Sequence, residues 1–286
     1  MDDINLIDIV EGLPQGEALD LSHMASKLGS DVKVRGSNDF SSMKDSNLVI
    51  ITAGLARKPG MTRMDLLNKN FEIVKGICEK VKDYTPKAKI LMVTNPLDVM
   101  TYVALKVTGF DKSKVFGMGG LLDSSRFAQF ISQHLGISRK SIQALVIGEH
   151  GENMLPLIRY SSIGGIPLTF FLKEEERRKI MELTVKVAAE VIALKGATVH
   201  APAFAVAKMV EAVVKDTKEV LPLSTYLEGE YGVKGICIGV PAILGKEGVE
   251  RIIELELNSE ERSIFNRVVE TIRRAIREIG YEDPLH

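Results

Sequence analysis

Tryptophan is absent from the chain, and only two cysteines occur, Cys78 and Cys237, each inside an apolar stretch. So few thiols cannot build a disulfide framework, so the expected setting is a reducing interior with both thiols buried in an ordinary core. Neither sign of charge is in excess: 37 Lys and Arg stand against 38 Asp and Glu, for a formal net charge of -1. The basic residues are scattered, which excludes the electrostatic footprint of a nucleic-acid or anionic-membrane binder and leaves any anionic ligand to be met by local charge. No apolar run approaches membrane-spanning length, and the start MDDINLIDIV is acidic where a secretory leader would be basic, so a cytoplasmic protein is expected. Internal repeats and low-complexity linkers are also missing.

What is present is the material for a large core. With 286 residues, 45% apolar and 26% charged, the chain has room for two domains or one large one, and its composition excludes disordered and fibrous classes. Short apolar runs recur as INLIDIV, NLVIITAG, KILMVTNP and VFGMG. Runs that are apolar on both faces suit strands of a parallel sheet covered by helices, and residues 64–84 between two of them have helical spacing. After about Gly120 the texture changes. An amphipathic stretch, LLDSSRFAQFISQHLG, is followed by a long charged helix from EEERRKIM to a stop at Gly196, and by another opening near Pro202. GEYGVKGICIGVPAILGKEGVERIIELEL then reads as antiparallel strands before a C-terminal helix. Residues 1–120 therefore read as a parallel α/β unit and residues 121–286 as α+β, with the two packed closely.

Five segments carry candidate chemistry, each with an ordinary alternative. Asp8 ends an apolar run, where it either caps a solvated strand end or accepts hydrogen bonds from a nucleotide ribose. TAGLARKPGMTR, residues 52–63, is either a solvated basic turn or an anion-binding loop in which glycine allows close backbone approach and arginines fork onto carboxylates. VTNP, residues 93–96, is a turn at a strand end, where the ligand crevice of an open α/β sheet lies. In LDSSR, Asp123 and Arg126 share one helical face, as a surface ion pair also would. In IGEHG, His150 follows the run ALVI between glycines, so a structural histidine and a catalytic one remain alternatives.

Taken in order, ARKPGMTR, VTNP, LDSSR and GEHG resemble the lactate/malate dehydrogenase family over essentially the whole chain, and their co-occurrence is far more specific than an isolated glycine motif. The resemblance implies a doubly wound Rossmann sheet with a second, α+β catalytic domain, and NAD as cofactor. It implies that His150 exchanges the proton of the reacting hydroxyl and that Asp123 orients it. Arg126 is implied to clamp the carboxylate beside the reacting carbon, with Arg63 and Asn95 at the carbonyl oxygen. Asp8, Gly54, Asn70, Val93, Thr94 and Asn95 are implied to line the dinucleotide, and Thr225 to lie near the substrate. Arg57 stands where lactate dehydrogenases carry glutamine, so the resemblance implies a dicarboxylate, malate or oxaloacetate, over lactate or pyruvate. It further implies a homodimer or homotetramer and a role in the tricarboxylic acid cycle.

The family pattern opens with a strand and a G-x-G-x-x-G turn, whereas this sequence opens at what matches the second strand, and GMGG at 117–120 does not make that fingerprint. The expectation is that the sequence begins at an internal methionine of a longer enzyme. A non-catalytic assembly or binding protein is the rival reading, and a lactate or other 2-hydroxy acid dehydrogenase is a further one. An NAD-dependent glycosidase is disfavoured by the lack of a cysteine and histidine pairing suited to a metal, so no metal is expected.

Overall fold

A computed structural model describes residues 3–55 and 62–281. Along the chain the elements are β1 (Asp3–Ile7), α1 (Leu13–Lys27), β2 (Lys33–Ser37), β3 (Leu48–Ile51), α2 (Arg63–Tyr84), β4 (Lys89–Met92), α3 (Leu97–Thr108), β5 (Val115–Gly117) and α4 (Gly120–Leu135). They continue as β6 (Ile142–Gln143), β7 (Val146–Gly148), β8 (Met154–Pro156), β9 (Ser162–Ile163), β10 (Ile166–Pro167), α5 (Glu174–Lys195), α6 (His200–Lys215), β11 (Glu219–Glu228), β12 (Lys234–Gly245), β13 (Gly248–Ile252) and α7 (Ser259–Glu278).

The main sheet runs β3-β4-β5-β11-β12-β7-β8, with β13 paired to β12. Its first three strands are parallel, and β11, β12, β7 and β8 continue it antiparallel. Two halves expected as separate units thus share one sheet. The join is Ser224 on β11 opposite Gly117 on β5, and only a glycine fits there: a Cβ on Gly117 would lie 2.5 Å from Thr101 Oγ1 and 3.2 Å from Ser224 Cβ. β1 and β2 form a parallel pair of their own, with Ile7 packed against the main core.

Alternation along β4 shows why its run is apolar throughout: Ile90 and Met92 enter one cluster with α2, α3 and α7, while Leu91 enters another with α4 and α6. A third cluster, around Phe127 and Ile131 of α4, packs on Val146 and on Ile180 of α5. α2 begins one residue before the periodicity suggests, because Thr62 and Asp65 form a reciprocal capping box. α3 is the helix the periodicity hides. Leu97, Val99, Met100, Tyr102, Val103, Ala104 and Leu105 are all buried, so it has no polar stripe to reveal its period. α1 and β2 also escape the sequence pattern, because α1 buries only Pro14, Ala18 and Ala25. Cys78 and Cys237 are buried, and burial pushes the Cys78 thiol up to about 12.

Candidate active site

β7 ends at Gly148, whose φ of 89° turns the chain into the loop carrying His150. α4 supplies the facing groups from its first two turns. Asp123 Oδ2 lies 2.7 Å from His150 Nδ1, and Asp123 Oδ1 accepts from Arg126 Nη1 at 2.9 Å. Only 1% of the Asp123 side chain is exposed, against 12% for both His150 and Arg126, so the carboxylate is sealed behind a partly open imidazole and guanidinium. A carboxylate only accepts, so Nδ1 carries the proton and Nε2 is left as the atom that can exchange one with a ligand. Asp123 also sits in the first turn of α4, where the helix dipole favours its negative charge.

Burial acts to lower the pKa of His150, but the charge of Asp123 and its hydrogen bond outweigh that effect. Arg126 opposes them and Asp98 assists, so the imidazole titrates above its ordinary range. The loop is held by its main chain as well: His150 N–H donates to Asp98 Oδ2 at 2.8 Å, and Ser224 Oγ donates to Asp98 Oδ1 at 2.7 Å. Burial drives the Asp98 carboxyl up to about 7 against the pull of those two bonds. Gly119, between β5 and α4, completes the seat, since a Cβ there would fall 2.7 Å from Leu97 Cδ2 and 2.9 Å from His150 Cβ.

The other candidates gather at the carboxyl ends of the parallel strands. Residues 52–55 follow β3 and residues 93–96 follow β4. Thr94 Oγ1 donates to the carbonyl of Ala53 at 2.8 Å. The buried Asn70 accepts from Leu55 N–H at 2.8 Å and donates to the carbonyl of Asn95 at 2.7 Å, so its amide staples the two turns together. Gly54 makes this approach possible, for a Cβ would meet Thr94 Cγ2 at 2.6 Å and Asn70 Oδ1 at 3.2 Å. Val93 is half-buried, and Asn95, joined to Pro96 by a cis peptide bond, is exposed. Asp8 stands just past β1, half-buried, with Oδ1 accepting from Val10 N–H at 2.8 Å. Thr225 is buried on β11 beside Ser224. Arg57 lies outside the described residues, and Arg63 opens α2, its side chain lying outside what is described.

The structure therefore brings His150, Asp123 and Arg126 together, and joins Gly54, Asn70, Thr94 and Asn95 in one framework. Asp98, Ser224 and Gly119 belong to the histidine seat without having been singled out from the sequence. The available signal was an aspartate beginning an apolar helix, in NPLD right after the VTNP turn. These residues suit a dinucleotide: a carboxylate at a parallel strand end offers acceptors to ribose hydroxyls, and a side-chain-free Gly54 lets exposed backbone border the crevice. No helix among the described residues is long and apolar enough to cross a membrane.

Comparison with known proteins adds a separate line of observation. The family model described as lactate/malate dehydrogenase, NAD binding domain, matches residues 1–117, and that of the lactate/malate dehydrogenase alpha/beta C-terminal domain matches residues 121–282. A malate dehydrogenase from Methanosarcina acetivorans is 49% identical over 97% of this chain and 91% of its own length. The solved malate dehydrogenase of Aeropyrum pernix superposes with a TM-score of 0.93 at 44% identity, over 99% of this chain and 92% of that one. A Cryptosporidium parvum lactate dehydrogenase solved with lactic acid and nicotinamide adenine dinucleotide has a TM-score of 0.93 at 42% identity, over 98% and 91% of the two chains.

Proposed function

This chain belongs to the lactate/malate dehydrogenase family, and from that premise we infer that it is an NAD-dependent oxidoreductase that interconverts malate and oxaloacetate. When bound, NAD supplies or accepts the hydride at the carbon bearing the hydroxyl. We propose that the chain's own residues do the rest. In malate oxidation neutral His150 takes the hydroxyl proton at Nε2. Asp123 stabilises the imidazolium that forms and keeps Nε2 aimed outward. In oxaloacetate reduction the same imidazolium returns the proton. Arg126 pairs with the carboxylate next to the reacting carbon through the N–H groups that Asp123 does not engage. Arg63 and Asn95 serve the carbonyl oxygen, and Arg57 meets the distal carboxylate. Asp8, Gly54, Asn70, Val93, Thr94 and Asn95 would hold the dinucleotide, Asn70 by keeping the two strand-end turns joined and Asp8 by accepting from the ribose.

The observation that carries these assignments is the chain of short contacts from His150 through Asp123 to Arg126, in which a sealed carboxylate orients a proton carrier and an anion clamp together. The test is steady-state NADH oxidation with oxaloacetate. Wild-type protein should turn over, and His150→Gln should lose about 10²–10⁴-fold in kcat, the usual worth of a positioned acid or base. Full turnover by His150→Gln would remove the histidine from the reaction. Arg57→Gln should cost oxaloacetate turnover and favour pyruvate, because the second carboxylate then lacks its partner. Unchanged oxaloacetate turnover in that variant would remove Arg57 from the choice of substrate.

A division into a cofactor unit at residues 1–120 and a catalytic unit at 121–286 belongs to the same proposal, with the two family-model spans in support. So do a cytoplasmic location and a homodimer or homotetramer. Exposed apolar side chains on α5 and α6, Leu194 and Phe204 among them, support self-association. Light scattering on the purified protein would read the assembly directly.

A further inference from the structure

Asp98 is a carboxylate inside one of the most apolar parts of the molecule, at the start of α3, where it is 2% exposed. Both its oxygens are occupied, one by the main-chain N–H of His150 and the other by the Ser224 hydroxyl. Through them it joins three elements far apart in sequence: α3, the loop after β7, and β11. Burying an acid here is costly, and a purely packing role would be served better by an apolar side chain. The bond to His150 differs from the one Asp123 makes. Asp123 holds the ring through Nδ1, whereas Asp98 holds the backbone from which the ring projects. Gly119 forms a third side, where the lack of a side chain lets His150 Cβ approach closely.

We propose that Asp98 is a positioning residue for proton transfer: it fixes the main chain of the histidine loop, with Ser224 as its brace, so that the His150–Asp123 pair forms in one orientation. Its charge acts on His150 as well. The charged groups facing the imidazole are Asp123 and Arg126 from α4 and Asp98 from α3. Those bearing on Asp98 are His150 and Glu149 from the loop, with Cys237 of β12 within reach of its charge. Asp98 is among the groups that hold the imidazole's pKa up, so neutralising it lowers that pKa.

The inference rests on His150 as the proton carrier, and two variants test it on the complete chain. Asp98→Asn keeps an oxygen for the His150 N–H and an amide for Ser224 but loses the charge. Its kcat should stay within about threefold of wild type, while the pH midpoint of malate oxidation moves to lower pH. Asp98→Ala loses both bonds. Per NADH-titrated site its kcat should fall about tenfold or more, the scale expected of a displaced catalytic group, while KM for oxaloacetate changes less than about threefold because Arg126 is untouched. A pH profile of Asp98→Asn that superimposes on wild type, or an Asp98→Ala with wild-type kcat, overturns the assignment. If Asp98→Ala does not fold, the pH profile of Asp98→Asn decides by itself. His150→Gln, measured in parallel, separates the premises: its full activity sinks the reading of the site, whereas its inactivity beside a normal Asp98→Ala sinks only the role of Asp98.

Discussion

At the scale of single residues, the candidate site turns on one carboxylate shared by an imidazole and a guanidinium. Asp123 contributes the second-largest effect on His150 after burial, and that effect raises the imidazole's pKa. Replacing it by asparagine removes the charge while keeping a side chain of the same shape, so the pKa falls. With His150 as the proposed proton carrier, malate oxidation would need the neutral ring and so lie above that pKa; its rising limb should move to lower pH in Asp123→Asn. Oxaloacetate reduction needs the protonated ring and lies below the pKa; its falling limb should move the same way. Because the asparagine also ceases to stabilise the imidazolium, kcat should drop about 10²–10⁴-fold in both directions. Paired pH profiles of the two reactions check this, and limbs that stay in place would mean that Asp123 does not set the titration of His150.

Elements act on the site through the places where they touch without side chains. The glycines of the run GMGG at 117–120 serve close packing. Gly117 lets β11 join β5, Gly119 receives His150 and Leu97, and Gly120 sits where a Cβ would lie 2.8 Å from the Val146 carbonyl. Gly119→Ala should therefore push the histidine loop outward. The expected result is about 1–3 kcal/mol of lost stability and about 10²-fold lower kcat, as sub-ångström placement governs transfer. Thermal melts and kinetics measured together will tell. A variant that loses stability but keeps its turnover would show that the seat has slack.

For the whole molecule the sheet is the decisive object. β11 and β12 tie the parallel strands to the histidine strand β7, so the two halves of the chain share backbone hydrogen bonds and should unfold together. The β1–α1–β2 unit stands apart from that sheet. It has a two-stranded pair, which is marginal by itself, and a helix that leaves Leu19 and Met24 exposed. Hydrogen exchange on the free protein should show amides of residues 3–37 exchanging well before those of β4, β5 and β12. On the proposed contact between Asp8 and the ribose, NADH should slow that exchange. Uniform protection across both regions, without ligand, would contradict this division.

How far this could be seen in the chain alone depends on the range of the interaction concerned. Helices with a polar face, such as α4, α5 and α7, declare themselves by local periodicity, and so do the apolar parallel strands; α3 does not, because burial on every side erases its period. Asp123 and Arg126 lie three positions apart, so their shared face was legible, whereas the meeting of Asp123 with His150 spans 27 positions and came only through the family resemblance. The sequence by itself determined the helices with a polar face, the apolar parallel strands and which side chains are chemically able to move a proton or grip a carboxylate, since these follow from side-chain identity and short-range spacing. Only tertiary structure decided that Asp98 lies against His150, 52 positions away, and against Ser224, 126 positions away. Long-range pairing of that kind is set by how β11 enters the sheet beside Gly117, a consequence of packing that no local pattern encodes.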